Sequence, residues 1–133
     1  MVIKLALGML IAMAGNGAEQ PEQLAQYSKE NELIGEFRAT HYTAECDGCS
    51  GITYTGYDVR RTIHKDDMRI IAVDPDVIPL GSVVTVELSD GSSFKAIALD
   101  IGGAIKGNRI DILVSDKATA YQLGVKRVRV YKE

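Results

Sequence analysis

The sequence predicts a small, mostly β domain closed into a barrel of about six strands, with one or two short helices. Three observations carry that expectation. Short apolar runs with period-two character recur between turn signals from Leu33 to the end of the chain. Helix-like spacing appears only in a short late stretch and near the N-terminus. The length, 133 residues, suits one domain, and closing so small a sheet removes strand edges that would otherwise stay exposed.

The elements follow in order. Residues 1–14 form an N-terminal hydrophobic segment: Lys4 is the only charge before Glu19, Leu5 to Ala14 is apolar or Gly, and the run ends Ala12-Met13-Ala14. A basic start, a short apolar core and small residues at its end read as a secretory signal. The stretch is shorter than the about 20 apolar residues that span a bilayer, and an uncleaved membrane anchor is the other reading. Residues 15–32 are polar, with Pro21 suited to a first helical turn, and are expected as a linker or short helix. Residues 33–133 are expected as the barrel.

Within it, Leu33 to Tyr42 alternates imperfectly and predicts a strand, and 45–57 is a Gly, Thr and Ser-rich loop. Ile70 to Val73 is a short strand stopped by Asp74-Pro75, and Pro79-Leu80-Gly81 makes a turn. Val83 to Leu88 and Phe94 to Leu99 flank Asp90-Gly91, a hairpin signal. Gly102, Gly103 and Gly107 mark a tight loop before the strand Ile110 to Val114. Ser115 is a candidate cap for a short helix ending at Gly124, and Val125 to Tyr131 alternates as the last strand. With no Trp and 6% aromatic residues, the core must rest on Val, Ile, Leu and Ala.

The charge balance narrows the function. Net charge is −3, and the one dense basic run, Lys126-Arg127-Val128-Arg129, alternates as a solvated strand face, so no nucleic-acid partner is expected. Gly102, Gly103 and Gly107 lack both phosphate-loop spacings, which argues against a nucleotide site. No serine elbow is present, and His41 and His64 have no obvious triad partners. The two cysteines, Cys46 and Cys49, form one C-x-x-C. In an exported chain they suit a local disulfide; free thiols, or a zinc site completed by His41 and His64, are the alternatives.

Asp74, Asp100 and Asp111 each stand where a strand meets a turn or, for Asp111, inside the apolar strand Arg109-Ile110-Asp111-Ile112-Leu113. Turn chemistry accounts for an Asp before Pro75 and for one ahead of a glycine loop. It does not account for Asp111, because Asp has poor strand propensity and a buried carboxylate needs partners or a proton.

The segments IAVDPDVIPLGSVV and AIALDIGGAIKGNRIDILV resemble the three-aspartate (3D) domain of bacterial cell-wall proteins, among them stationary-phase survival proteins of the resuscitation-factor type. The second segment is also similar to the active-site stretch of the membrane-bound lytic murein transglycosylase A family. Upstream, ATHYTAECDGCSGITYTGYDV resembles the domain's opening strand and T-x-T-G loop. The resemblance covers about residues 37–131 and implies a six-stranded double-psi β-barrel that acts on peptidoglycan glycan strands, with no metal or cofactor. It implies Asp111 as acid/base, Asp100 and Asp74 in support, and Lys106, Thr55, Tyr42, Gly102 and Gly103 along the substrate groove.

The implied reaction is lytic transglycosylation: cleavage of the β-1,4 bond between N-acetylmuramic acid and N-acetylglucosamine with formation of a 1,6-anhydro ring. An acid serving there near neutral pH must sit well above the about 3.9 of a free Asp, and burial beside a second carboxylate supplies that. The alternative is a wall-binding barrel without catalysis. An aspartic protease is a further reading, from Leu99-Asp100-Ile101-Gly102, but Ile101 replaces the hydroxyl residue of D-[ST]-G and one copy would require a homodimer. The expected location is the cell wall or its exterior, and a homodimer by strand exchange stays open.

Overall fold

The structure, a computed structural model, describes residues 31–45 and 48–133. The expectations for residues 1–14, for 15–30 and for Cys46 lie outside the described residues.

Seven strands and one short helix make up this part: β1 (Leu33–Tyr42), β2 (His64–Lys65), β3 (Met68–Ala72), β4 (Val83–Glu87), β5 (Ser93–Asp100), β6 (Arg109–Leu113), α1 (Lys117–Leu123) and β7 (Lys126–Lys132). The order β3-β5-β4-β7-β1-β6 is closed by pairing of β6 back onto β3, so six strands form a barrel and β2 only extends β3 as a hairpin. The β1–β6 and β3–β5 pairs are parallel, and the rest are antiparallel. This is the closed barrel that the strand pattern predicts.

The local chemistry of the turns agrees with the sequence. Gly91 has φ 91°, which an L side chain tolerates poorly, and Asp90 Oδ1 accepts from the Ser92 N–H at 2.9 Å, so the β4–β5 hairpin turns at Asp90-Gly91. The expected cap at Ser115 is corrected by one residue. Asp116 accepts from the Thr119 N–H at 2.8 Å, while Ser115 donates to Asp116. A carboxylate at this position can serve both donors, and Ser115 instead braces it.

Two apolar layers hold the barrel. Phe37, Ala39, Ile71, Val84, Val86, Ala96, Ala98, Ile110, Ile112, Val128 and Val130 fill the interior. On the outer face Ile70, Ile97, Leu99 and Leu113 pack under the segment 43–63 through Val59, Tyr57 and Ile63. Strands β3, β5 and β6 are therefore covered on both faces, which is why they read as near-continuous apolar runs rather than clean alternation. Val, Ile, Leu and Ala dominate this core, with Phe37 the one aromatic among its fully buried side chains.

Candidate functional site

Register brings two of the aspartates to one place. Ala72, the last residue of β3, pairs with Asp111 of β6 on one side and with Asp100 of β5 on the other. The β3–β5 register slips between Ile71 and Ala72, leaving Leu99 as an extra residue on β5. Without that bulge Asp100 would follow Ala96 and Ala98 into the barrel interior. With it, Asp100 turns outward beside Ala72 and Asp111. The Leu99 carbonyl, displaced from the ladder, accepts from the Thr55 hydroxyl at 2.7 Å and the Thr55 N–H at 3.2 Å. Thr55 thus fixes the bulge that aims Asp100.

The two carboxylates differ in their partners. Asp100 accepts three bonds: from the Tyr54 N–H at 2.9 Å and its following Ile101 N–H at 3.0 Å on Oδ1, and from the Tyr42 hydroxyl at 3.1 Å on Oδ2. Asp111 accepts one, from the Thr40 hydroxyl at 2.9 Å on Oδ1; among the described residues nothing donates to its Oδ2. Thr40 is Asp111's register partner on β1, and Tyr42 lies two residues further along the same face.

Burial pushes the Asp111 carboxyl above the usual carboxylate range. The Thr40 hydrogen bond and the charges of Arg109 and His41 oppose this, and the Asp100 charge adds to it. The order of causes refines the expectation from the sequence: loss of water raises the carboxyl most, and the second carboxylate adds less. Burial together with the Asp100 carboxylate also raises the Tyr42 phenol, which stays a donor throughout the physiological range.

An open cleft of ≈ 270 Å³ lies against this pair, lined by Tyr42, Ala72, Asp100, Ile101, Gly102 and Asp111 among others. A larger one of ≈ 510 Å³ adjoins it, sharing Tyr42 and Thr43 and reaching Tyr121 of α1 and Val125. Tyr121 is 90% exposed.

The other residues named from the sequence stand elsewhere. Asp74 does not line the cleft. Its Oδ2 accepts from the Gly107 N–H at 2.8 Å and its Oδ1 from the Asp76 N–H at 3.0 Å, and these bonds, with the charge of Lys106, hold its carboxyl below the usual range. It ties the 101–108 loop to the end of β3. Lys106 and Gly103 are exposed on that loop, outside the cleft lining, whereas Gly102 lines the cleft and has no room for a side chain: a Cβ there would meet Ile105 at 2.9 Å. Cys49 is disulfide-bonded. His41 Nδ1 donates to the Gly124 carbonyl at 2.8 Å, and the described residues contain no group of three or more His, Cys, Asp or Glu placed to hold a metal ion.

Thr40 and the Tyr54 and Ile101 amides are not legible in the sequence as site groups. Thr40 carries one usable signal, its place two residues before Tyr42 on a strand face. The amides carry none, because backbone donors have no sequence signature.

The fold and site thus define a closed β-barrel that presents one half-buried, sparsely bonded carboxyl to an open cleft, beside a second held by three donors. The family model of the 3D domain matches residues 69–132 of the chain. It is 51% identical over 107 residues to the SPbeta prophage-derived uncharacterized protein YorM of Bacillus subtilis, covering 80% of this chain and 43% of that one. It is 50% identical over 92 residues to the cell wall-binding protein YocH of the same organism, covering 69% of this chain and 30% of that one. The chain thus spans less than half the length of these relatives. Among solved structures, MltA from Escherichia coli, described as having a unique lytic transglycosylase fold, superposes with a TM-score of 0.49 at 21% identity, over 61% of this chain and 26% of that one. No helix among the described residues is long and apolar enough to cross a membrane.

Proposed function

We propose that this chain is a peptidoglycan lytic transglycosylase whose acid/base is Asp111. The observation that carries the reading is the environment of that one carboxyl. It is raised by burial, it has an oxygen with no donor among the described residues, and it faces an open cleft. A protonated carboxyl so placed can give its proton to the glycosidic oxygen as the bond to C1 breaks. The resulting carboxylate then takes the proton of the muramyl C6 hydroxyl as O6 bonds to C1. The 1,6-anhydro ring closes, the acid is regenerated and no water is consumed.

Asp100 suits a supporting part. Three donors already hold it, so it is poorly placed to activate a water molecule as a hydrolase's second carboxylate would. The reacting hydroxyl is supplied by the sugar itself, and its proximity replaces that function. Tyr42 fixes Asp100 and lines both clefts, whose joint extent suits a polymer better than a single sugar. Work on the wall requires a location at or outside the cell surface, in keeping with the name of the cell wall-binding relative.

That name also favours a second reading, a wall-binding barrel without turnover. Digestion of purified sacculi separates the two. The enzyme releases muropeptides with 1,6-anhydromuramyl ends, seen by mass. Products ending in a reducing sugar would make it a hydrolase, and pull-down with no release would make it a binding module.

A further inference from the structure

One mouth of the barrel is open, and its chemistry is unlike that of the cleft. Ile112 belongs to the interior cluster and pairs with both His41 and Ile71, so His41 also faces inward. Arg69 precedes Ile71 by two residues on β3 and shares that direction. Leu88 and Phe94 pack against the same cluster. Together they floor a pocket of ≈ 270 Å³ at the barrel mouth, rimmed by Lys126, Arg127 and Asp90. Pocket and cleft lie on opposite faces of the same strands: His41 and Ile112 line the pocket, and their chain neighbours Tyr42 and Asp111 line the cleft.

Three cations and His41 meet one carboxylate here, in a chain whose net charge is −3. Arg127 has Glu36 at 3.6 Å, but no carboxylate among the described residues pairs with Arg69. Its guanidinium lies 5.3 Å from the Phe94 ring centroid, Nη2 donates to the Leu113 carbonyl at 2.9 Å, and Nε is buried without an acceptor. A half-buried guanidinium without a counter-ion is costly, and an incoming anion relieves that cost.

We propose that the mouth binds a small ligand ending in a carboxylate on a short aliphatic body, with Arg69 and Lys126 holding the anion and Leu88, Phe94 and Ile112 contacting the aliphatic part. The apolar floor favours this chemistry over inorganic phosphate, which has no aliphatic part to set against Leu88, Phe94 and Ile112. Such a group occurs at the D-alanine terminus of a peptidoglycan stem peptide and at an ordinary peptide C-terminus. The inference rests on the pocket and not on the transglycosylase reading.

Calorimetric or NMR titration of the full chain with N-acetyl-D-alanyl-D-alanine, its L,L isomer, the C-terminal amide and inorganic phosphate tests it. The free acids should bind on the order of tenfold or more tightly than the amide and phosphate. Arg69→Met and Lys126→Ala should each weaken binding, and Asp111→Asn should not. Preference for the D,D isomer assigns the wall stem as the source, and no preference or the L,L isomer assigns peptide C-termini; both support the site. Equal binding of the amide, phosphate bound as tightly, no acid binding at tens of millimolar, or indifference to Lys126→Ala would each overturn it. Lys126 is exposed, so that variant carries the test if Arg69→Met fails to fold.

Discussion

Asp74 and Asp111 are the same side chain placed close to one strand end, and the fold drives them in opposite directions. Asp74 leaves β3 into solvent, collects two backbone N–H donors and is held below the usual carboxylate range. Asp111 pairs through Ala72 with the same strand, has a single hydroxyl donor and is pushed above that range by burial. Donors stabilise the charged form, and loss of water destabilises it. The contrast separates two members of an aspartate trio: Asp74 pins a loop, and Asp111 is the one that the proposed mechanism uses as its proton donor.

The largest test of that contrast is Asp111→Asn. It should lower the rate of glycan release roughly 10²–10⁴-fold while circular dichroism stays native, because the amide has almost the shape of the acid but no proton to transfer. Its stability should also carry a signature. With a raised folded pKa, the wild type binds more protons folded than unfolded above pH 3.8, so its stability falls as pH rises through the folded value. The Asn variant lacks that penalty, so its Tm should exceed the wild type's at pH 7 and the gap should close below about pH 3.8. A variant that keeps full activity removes Asp111 from the mechanism.

Asp74→Ala should give the opposite pattern. A lowered folded pKa contributes stability above the unfolded value of 3.8 and loses it as pH falls through the folded value. Tm should therefore drop at neutral pH and converge with the wild type once pH falls below the folded value, while activity measured well below Tm stays within a few-fold of wild type. A loss of turnover as deep as that of Asp111→Asn, at unchanged Tm, would put Asp74 in the chemistry after all.

The contrast is only partly visible in the sequence. The strands of β1, β4, β5 and β7 are legible within a residue or two, since their apolar spacing and the Asp90-Gly91 turn are local signals. Asp111 stands out because an Asp between Ile110 and Ile112 violates strand propensity. Strand β2 has no such signal: its hairpin turns on Asp66 and Asp67, at φ 51° and 65°, without the glycine that marks such a turn. What joins Asp100 to Asp111 is the slip beside Ala72 and the antiparallel pairing of β3 with β6, and both are long-range choices that no local window encodes. Asp74 resembles the other two aspartates in sequence for the same reason, since its Gly107 partner lies 33 positions away.

Tyr42→Phe should have a smaller effect. It removes one of three donors to Asp100, a loss on the order of tenfold in kcat/KM for a hydrogen bond to a charged acceptor. Because the Tyr42 phenol is raised, it does not ionise below about pH 10, and wild type and variant should show the same alkaline behaviour. An alkaline limb that disappears in the variant would mean that Tyr42 titrates in the working enzyme.

The finest test changes Asp111 without touching it. The Thr40 hydroxyl donates to Asp111 Oδ1 and does most to lower the Asp111 pKa against burial. Thr40→Val keeps the branched shape of a β1 residue and removes that donor, together with the hydroxyl oxygen that accepts from Arg109 Nη2 at 3.4 Å. The carboxyl should then hold its proton to higher pH, so the pH–rate limb that reports loss of the acid should move upward. Turnover at the optimum should change only a few-fold, since a single hydrogen bond is worth about 1 kcal/mol. The direction of that movement is diagnostic. If Asp111 instead worked as a carboxylate from the start, removing the donor would move an activating limb upward and depress activity at neutral pH. If the limb stays in place, the group it reports is not Asp111, and the difference between the two aspartates would be structural rather than catalytic.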